Sequence, residues 1–439
     1  MYPVWEVPIL TSGIVLGLIA AFHILPSHLS VSLMWFNVIF ERKAYKEKKE
    51  EYLEFIKKNT LLLLIFAYIF GSLSGVGIWF SASLANPKGI SALIHNYVWG
   101  WATEWCFFII EVLAIYAYFY TLGKVEEKLH LKIGYIFAIS SWITMIIITG
   151  ILAFQLTPGK WLESGKFFDG FFNPTYFPQL LTRTFYMFSI GALFALATSS
   201  RLKNLEIKEK IVRFSSFLGI AGLVLGTLSC FWYIKMLPEN SVNIFKDLNF
   251  SGLYKLGYIS IFLIFLYFIF NLIKPKWAHI VPSILFVFVA FGGIWSGERL
   301  REISRKPYVI NGIVYSNQII SSDLQPKNLK NEVEIMNKEG ILSQFYLKDS
   351  IPKRKEDKLL KGRIIAQLEC SSCHTFNKKG LRSLPLLLQK LGMESEEDIL
   401  GFLELLSNNS YSFMPTFVGT ESEKEELSLY LSSIVKGGK

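Results

Sequence analysis

The sequence predicts an all-α protein, in which a multi-span transmembrane bundle of about eight helices precedes a small α-helical domain outside the membrane. Three observations lead to this fold class. Hydrophobic residues make up 52% of the 439 residues, and charged residues only 18%. The apolar residues gather in runs long enough to cross a bilayer, which takes about 20 helical residues. The C-terminal third is more polar and carries short amphipathic stretches.

Eight apolar runs are long enough to form spanning helices. We expect these spans at roughly residues 8–40, 59–84, 98–121, 131–156, 178–200, 212–237, 251–273 and 277–299. Together with their loops they form a bundle over residues 1–305. A polar connector follows at residues 306–345, and residues 346–439 form the C-terminal domain.

Basic loops predict how the bundle is oriented. The loop 41–58 contains seven lysines and arginines, and the loop 201–211 contains four, whereas the alternate loops carry few. Since positive loops stay in the cytoplasm, we expect the N-terminus and the C-terminal domain on the periplasmic side of the inner membrane. The net charge of +10 then comes largely from cytoplasmic loops. A nucleic-acid partner is therefore not expected.

The pentapeptide Cys370-Ser-Ser-Cys373-His374 predicts a covalently bound haem c in the C-terminal domain. Its two thiols form thioethers to the porphyrin, and His374 becomes the proximal iron ligand. A zinc site is one alternative, but zinc usually takes four protein ligands and no second Cys-x-x-Cys motif supplies them. A chance occurrence of the five residues is the other. Covalent haem attachment normally happens outside the cytoplasm, on the side that the basic loops predict.

Met414 is the candidate for the sixth iron ligand. It lies 40 residues after His374, in the stretch Ser-Phe-Met-Pro. A thioether opposite a histidine raises the haem potential and suits electron transfer. The alternative is an ordinary core methionine. Helices are expected at residues 361–368 and 421–435, so that roughly the last 85 residues resemble a small class I cytochrome c.

Ionisable residues interrupt the predicted spans, although each charge at the bilayer centre costs about 2.5–3.5 kcal/mol. Glu104 and Glu111 lie seven residues apart in the third span and therefore on one helical face. Burial favours the protonated form of such carboxyls, which makes them candidate proton carriers. The remaining members are His23, His28, Arg183 and, at the end of the eighth span, Glu298, Arg299, Arg301, Glu302 and Arg305.

These residue types suit haem binding, because imidazoles and carboxylates can ligate iron and arginines neutralise haem propionates. A structural ion-pair cluster is the alternative. Residues 299–305 lie at the membrane interface, where charge costs little. Packing or an interfacial position can equally explain His28, His95, His130 and His279.

The membrane part resembles subunit I of cytochrome bd quinol oxidases along most of residues 1–315. The segment Phe-His-Ile-Leu-Pro at 22–26 resembles the family's segment with a haem-ligating histidine. Gly-Val-Gly-Ile at 75–78 and the segment 99–111 resemble its glycine-rich turn and carboxylate-bearing helix. Arg-Glu-Ile-Ser-Arg-Lys-Pro-Tyr at 301–308 resembles the family motif Glu-x-Gly-Arg-Gln-Pro-Trp.

The resemblance implies a role for each matching residue. His23 and Glu302 would ligate haem iron, and Arg305 would pair with a propionate. Glu104 matches the family's first glutamate in the third span and would lie at the cofactor, while Glu111 falls one residue short of the second. The implied cofactors are non-covalent haem b and, as a second candidate, haem d, with Glu104 and Glu111 as catalytic carboxylates.

Two parts of the family's pattern are missing. The family holds a low-spin haem b with a histidine at the start of the fifth span and a methionine in a later span. Here Thr-Arg-Thr stands at residues 182–184, and Lys255 lies near the expected methionine. The family's long quinol loop is replaced by residues 238–250. We therefore expect the paired-haem site to remain, without the quinol-facing haem or its loop.

The expected function is that of a membrane-bound respiratory haem protein, in which haem c supplies electrons and a membrane haem reduces dioxygen or another small oxidant. The alternative is a non-catalytic conduit between membrane quinone or haem and a periplasmic redox partner. A haem-based sensor is a third class, although no signalling domain is present in the sequence. The expected partners are a periplasmic electron donor or acceptor protein, the lipid bilayer and a candidate second membrane subunit.

Overall fold

Eight long apolar helices dominate the protein, as the sequence predicts. The computed structural model describes residues 1–2, 4–351, 357–408 and 411–437. Within these residues, eight helices are long and apolar enough to cross a membrane. They are called spans 1 to 8 in chain order, and their bounds are Ser12–Glu47, Glu51–Ala85, Pro87–Thr121, Glu127–Phe154, Tyr176–Ser199, Leu205–Lys235, Ser251–Ile273 and Ile280–Ser304. The fold is therefore an all-α, multi-pass membrane bundle.

The bundle buries one stripe of each helix and turns other apolar faces outward. In span 1 the side chains of Leu29, Leu33 and Phe36 are fully buried. Val76 of span 2 and Phe288 of span 8 are instead exposed, which fits helices whose outer faces meet lipid. Span 1 packs against spans 2, 4, 5 and 8 and is the central helix of the bundle.

Spans 1 and 2 each have a feature that the sequence did not predict. Span 1 continues to Glu47 rather than ending near residue 40, so that Glu41 lies inside the helix and is buried. Span 2 contains a π-helix at Leu63–Phe70 between two α-helical segments, Glu51–Leu62 and Gly71–Ala85. Such π-turns are rare and frequently occur at functional sites.

Short elements connect the spans, and the connector after span 8 is ordered. The connecting helices are Trp161–Ser164, Phe167–Phe171 and Glu239–Asp247, with a 3₁₀ turn at Pro275–Trp277. The connector has antiparallel strands Tyr308–Ile310 and Val314–Tyr315, a helix Val333–Glu339 and 3₁₀ turns Gln325–Lys327, Leu342–Gln344 and Lys348–Ser350. It docks on the bundle through an ion pair between Lys88 Nζ and both oxygens of Glu332, each at 2.7 Å.

Within its described residues, the C-terminal domain has four α-helices: Lys358–Glu369, Leu384–Lys390, Glu396–Ser407 and Glu421–Val435. The two helices predicted at 361–368 and 421–435 are thus confirmed. They cross closely at Gly362, where an added Cβ would lie 2.0 Å from the carbonyl oxygen of Glu426. A glycine is therefore required at this crossing, and Ile365 and Leu427 fill the core beside it.

Candidate functional site

The Cys-x-x-Cys-His loop begins where the helix Lys358–Glu369 ends. The N–H of Cys370 donates to Ala366 O at 2.8 Å. The N–H groups of Cys373 and His374 both donate to the carbonyl of Cys370, at 3.2 and 2.9 Å. The chain therefore turns tightly after the helix, which brings two thiols and an imidazole into one short loop.

The two thiols have different electrostatic surroundings. Burial raises the pKa of Cys370. Burial also acts on Cys373, but the cations of Lys306 and Arg382 outweigh it and hold the pKa of that thiol below its usual value. A thiolate is the reactive form of cysteine, so Cys373 is the better prepared of the two for covalent chemistry.

The imidazole of His374 is prepared to bind a metal through Nε2. Its Nδ1 lies 3.3 Å from the carbonyl oxygen of Arg382, and a carbonyl can only accept, so Nδ1 carries the hydrogen. Burial, reinforced by the charge of Arg382, lowers the pKa of His374 to about 4. At neutral pH the ring is therefore uncharged, with its lone pair on Nε2.

Met414 is half-buried in the loop between the helices Glu396–Ser407 and Glu421–Val435. The hydroxyl of Thr416 lies 3.0 Å from the carbonyl oxygens of both Leu406 and Ser407, which fastens this loop to the preceding helix. Residues 409–410, at the start of the loop, lie outside the described residues. The assignment of Met414 as the sixth iron ligand stays a prediction.

The Cys-x-x-Cys-His loop lies against the N-terminal end of span 1 and the C-terminal end of span 8. A Cβ added at Gly13 would lie 3.0 Å from the carbonyl oxygen of Ser372 and 3.9 Å from Oε1 of Glu302. The amino group of Lys306 donates to Cys373 Sγ at 3.3 Å. The residues predicted for haem c and for the membrane haems therefore meet at one point of the fold.

The charged residues that end span 8 form two i,i+3 ion pairs. Arg301 donates to Glu298, with Nη2 at 2.7 Å, and Arg299 pairs with Oε2 of Glu302. Glu302 thus pairs with Arg299 of the preceding turn and not with Arg305 of the following one. A Cβ added at Gly17 would lie 3.4 Å from the same Oε2, so span 1 leaves the carboxylate room.

Arg305 is a half-buried cation whose Nε atom is buried. Its Nε has no hydrogen-bond partner among the residues that the structure describes. Burial, together with the charge of Arg301, lowers the pKa of Arg305 to about 10, so the guanidinium stays charged at neutral pH. A buried, charged and unpaired donor is costly unless an acceptor is supplied, and a haem propionate is such an acceptor.

His23 of span 1 packs against the small residues of span 2. Its Nδ1 lies 3.1 Å from the carbonyl oxygen of Gly71 and 3.0 Å from Oγ of Ser74. Because the carbonyl needs a donor, Nδ1 carries the hydrogen and Nε2 is left for a metal. His28 differs, since it is buried and its Nδ1 bonds Ile24 O within the same helix at 2.9 Å.

Glu111 of span 3 is the centre of a buried hydroxyl cluster that the sequence did not reveal. Its Oε2 accepts from Tyr68 at 3.1 Å and from Ser30 at 3.5 Å, and its Oε1 accepts from Thr144. Tyr68 lies in the π-helix of span 2, and Thr144 lies in span 4. No local sequence pattern indicates these contacts, because they join four separate spans.

Glu104 lies two turns from Glu111 and is half-buried. Within the described part of the chain it has no hydrogen-bonding side chain beside it, unlike Glu111. The two carboxylates share one helical face as predicted but are not in direct contact. Glu104 is therefore the member of the pair that remains available to a cofactor.

Arg183, which stands in place of the family's histidine, lies electrostatically close to Glu298 and Arg301 of span 8. A guanidinium has no lone pair to offer iron, so this position cannot replace a histidine ligand. His95 is exposed and bonds Ser91 O, and His279 caps span 8 by accepting from Val281 N at 3.3 Å. These two histidines therefore have local structural roles.

The predicted ligand side chains suit the haems that the sequence predicts. His23 and His374 each present Nε2 as the remaining ring nitrogen, Glu302 supplies a carboxylate, and Arg305 supplies an unpaired donor. Gly13 and Gly17 keep span 1 free of side chains where the Cys-x-x-Cys-His loop and Glu302 approach it.

Comparison with known proteins agrees with this architecture. The family model of cytochrome bd terminal oxidase subunit I matches residues 12–240, more than half of the 439-residue chain. The structure of bd oxidase from Geobacillus thermodenitrificans superposes with a TM-score of 0.61 at 15% sequence identity, covering 74% of this chain and 91% of that chain. At this identity the likeness shows the fold alone. No curated protein matches the chain.

The matched family consists of respiratory membrane oxidoreductases, which implies haems b and d as cofactors. The span architecture agrees with it, since the eight helices reproduce the fold of a bd oxidase over most of that chain's length. The protein is thus a multi-pass, bd-like oxidoreductase, and its chain belongs to the cytochrome bd terminal oxidase subunit I family.

Proposed function

We propose that this chain is a terminal oxidase that takes its electrons from its own C-terminal haem c and reduces dioxygen or another small oxidant in the membrane. The observation that carries the proposal is the contact between the Cys-x-x-Cys-His loop and the end of span 8. Ser372 O and Glu302 Oε1 lie within 4 Å of the same point, the Cβ position of Gly13. Two haems held there need no mobile carrier between them.

In this proposal residues 346–439 form a cytochrome c domain on the periplasmic side. Cys370 and Cys373 bind the porphyrin, His374 binds the iron through Nε2, and Met414 completes the coordination. The ring orientation of His374 supports this assignment, as does the low pKa that keeps the imidazole neutral. Haem c supplies one-electron redox chemistry at this position.

His23 and Glu302 are proposed to hold the non-covalent haems, with Arg305 on a propionate. Two features support these roles: the free Nε2 of His23 and the unpaired buried Nε of Arg305. Glu302 would exchange its present partner Arg299 for iron, and Arg299 has a second neighbour in the ring of Trp295, 5.8 Å away. Glu104 is proposed to lie at the cofactor, since its carboxylate is half-buried and unbonded within the described residues.

Glu111 is proposed to carry protons to the site of oxidant reduction. The hydroxyl of Thr144 lies near Glu111 and also 2.8 Å from Ser140 O, so it can donate to either. When Glu111 is ionised, Thr144 donates to it. When Glu111 is protonated, it donates to Thr144, which turns to Ser140. The cluster thus satisfies both protonation states of Glu111.

The electron donor is proposed to be a periplasmic protein and not quinol. The segment that replaces the family's quinol loop is occupied by the helix Glu239–Asp247, which docks on the end of span 8. Ser241 donates to Ser304 O at 2.5 Å, and Asn240 donates to Asn311 at 3.2 Å. This packing leaves the segment little freedom to form a substrate loop. A second membrane subunit remains a proposed partner.

The test is dioxygen consumption by the purified chain with ascorbate and a small one-electron mediator, combined with an optical spectrum under carbon monoxide. We expect dioxygen consumption that depends on the mediator, and a membrane haem whose optical spectrum changes when carbon monoxide is added. Quinol alone should support little consumption. If carbon monoxide shifts no band and no dioxygen is consumed, the chain is a conduit between its haems and a periplasmic partner.

A further inference from the structure

Glu41 and His130 form a buried pair that none of the roles above uses. Glu41 lies near the C-terminal end of span 1, and His130 lies in the first turns of span 4. Their side chains are 0% and 1% exposed, and Nδ1 of His130 lies 2.6 Å from Oε1 of Glu41. Both residues lie at the end of the bundle where the loop 41–58 carries its seven lysines and arginines.

The hydrogen bonds of His130 require a proton between the two residues. Its Nε2 lies 2.8 Å from the carbonyl oxygen of Tyr118, which can only accept, while its Nδ1 faces the Glu41 carboxyl. A neutral imidazole has one N–H, and Nε2 uses it. Either His130 carries a second hydrogen on Nδ1, or the Glu41 carboxyl carries one and donates it. In both forms the pair holds one proton and has no net charge.

Two phenol groups stabilise the form of the pair that has lost this proton. The hydroxyl of Tyr45 donates to Oε1 of Glu41 at 2.9 Å, and the hydroxyl of Tyr118 donates to Oε2 at 2.5 Å. Both donors stabilise the carboxylate that remains after the proton has left. Tyr45 is half-buried and therefore reaches the protein surface. There the exposed carboxylate of Glu127 is a second charged group near Tyr45, besides Glu41. In the described part of the chain, Tyr45 of span 1 and Tyr118 of span 3 are the titratable side chains bonded to the pair, and Glu127 of span 4 acts electrostatically on Tyr45.

Span 3 connects the pair with the hydroxyl cluster. Tyr118, Glu111 and Glu104 follow one another at intervals of seven residues, so they lie on one helical face at steps of about 10.5 Å. The pair is bonded to the first of these residues, the cluster surrounds the second, and the third is available to a cofactor. Side chains of spans 1, 2 and 4 contact this face of span 3, which runs from the end proposed to be cytoplasmic toward the end where Glu302 lies.

We propose that Glu41 and His130 form the cytoplasmic proton-donating site that reprotonates Glu111. The physiological role of this site rests on the proposed function, whereas the exchange experiment that tests the site does not. In the transfer the proton leaves the bond between Nδ1 and Oε1 and arrives on the Glu111 carboxylate. The pair changes from neutral to a single negative charge, and Glu111 changes from ionised to neutral. A proton from cytoplasmic water, arriving beside Tyr45, restores the pair.

The test follows hydrogen–deuterium exchange at Glu111 by infrared difference spectroscopy of the full chain in membranes. The C=O band of Glu111 is identified by its loss in Glu111→Gln. Glu41→Gln keeps the side-chain shape but removes the carboxyl group that can take up and release a proton. We expect it to slow exchange at Glu111 roughly a hundredfold, the lower end of what a positioned proton-transfer group contributes. His130→Gln should act in the same way.

Glu47→Gln is the matched control, because Glu47 accepts from Tyr52 at 3.4 Å near the same end of span 1 but lies partly exposed and outside the pair. It should leave exchange unchanged. If Glu111 exchanges in Glu41→Gln at the wild-type rate, the pair only holds helices together. The same conclusion follows if both pair variants lose the folded bundle and its haems. Dioxygen consumption is measured separately, so an inactive wild type with slow exchange in Glu41→Gln refutes the oxidase and keeps the proton site.

Discussion

The amino group of Lys306 donates a hydrogen bond to the Sγ atom of Cys373, 67 residues later in the chain. Lys306 directly follows Arg305 in the motif that ends span 8, and Cys373 is the second cysteine of the Cys-x-x-Cys-His loop. One contact therefore joins the two motifs for which the sequence predicts haem binding. This contact makes the C-terminal domain part of the proposed redox site.

Haem c should be bound through two thioethers. Cys370→Ala or Cys373→Ala should impair covalent attachment, because each thiol forms one of the two bonds, and His374→Ala should remove the proximal ligand. Haem-stained denaturing gels measure this directly. Cys106→Ala is the control, since Cys106 is exposed on span 3 and far from the motif in sequence. An unstained band at the mass of the wild-type chain would refute haem c.

Met414→Ala should leave haem c attached and lower its midpoint potential, because a thioether ligand favours ferrous iron. Potentiometric titration of the haem c band measures the shift. Met393→Ala is a matched control, since Met393 is a half-buried methionine of the same domain. Equal potentials in the two variants would mean that Met414 is an ordinary core residue.

The non-covalent haems should depend on His23 and Glu302. His23→Ala and Glu302→Ala should each lower the non-covalent haem content and leave haem c in place, because each removes a proposed ligand. Pyridine haemochrome analysis after extraction separates the two haem pools. His95→Ala should leave both pools intact, since His95 is exposed and bonds only its own helix. Well-folded wild-type protein without extractable haem would exclude a membrane haem site.

The topology can be tested with membrane-impermeant cysteine reagents in intact cells. A cysteine at the exposed position Gln325 should react, because the connector is proposed to be periplasmic. A cysteine at the exposed position Glu50, in the basic loop, should react only after the cells are opened. Tyr52 lies in the same region, but it is fully buried and would give a misleading negative result. If only the cysteine at position 50 is labelled in intact cells, the chain has the opposite orientation in the membrane.

Local properties of the sequence explain why the spans could be predicted. A run of about 20 apolar residues must form a helix in lipid, because its backbone groups have no other partners there. The helix Glu421–Val435 could also be predicted from local sequence, because its charged and apolar positions alternate with the period of a helix. These elements needed no knowledge of the tertiary structure.

The contacts between distant residues could not be predicted in this way. The π-helix that carries Tyr68 lies in a uniformly apolar run, so no change in composition marks it. Sequence reasoning explained His130 by packing or by an interfacial position, whereas the structure pairs it with Glu41. Each contact depends on how separate spans pack, and one sequence contains no signal for that.

The folded C-terminal domain should become less stable as the pH rises. Glu369 links the domain to the connector, accepting from Asn317 at 2.6 Å and from the N–H of Val418 at 3.3 Å. Burial raises the pKa of Glu369 to about 8, above its ordinary value of 4.5. Between these values the folded state binds more protons than the unfolded state, so stability falls as the pH rises through this window.

Thermal unfolding of the C-terminal domain, followed across that pH range, measures this effect. Glu369→Gln should flatten the dependence, because a glutamine resembles the protonated acid and does not titrate. Glu425→Gln, on an exposed position of the same domain, should keep the wild-type slope. An unchanged slope in Glu369→Gln would assign the pH dependence to another group.

Tyr68 should control the proton on Glu111 without binding a cofactor. Tyr68→Phe removes the donor that lies 3.1 Å from Oε2 and also the 3.2 Å partner of Ser30. A hydrogen bond to a charged group contributes about 1.5–3 kcal/mol, so the ionised form of Glu111 loses roughly that stabilisation. If proton delivery limits turnover, dioxygen consumption should fall by about tenfold or more. The carbon monoxide spectrum and the haem content should stay as in the wild type.

Tyr186→Phe provides the matched control for this prediction. Tyr186 bonds Thr227 at 3.1 Å between spans 5 and 6, in a tyrosine–threonine pair that contains no carboxylate. Its loss should cost a similar amount of stability and leave turnover unchanged. Equal turnover in the two variants would show that the hydroxyl of Tyr68 only stabilises the fold. A selective loss in Tyr68→Phe, with normal haem spectra, would place the π-helix of span 2 in proton delivery, because that π-helix carries the hydroxyl that meets Glu111.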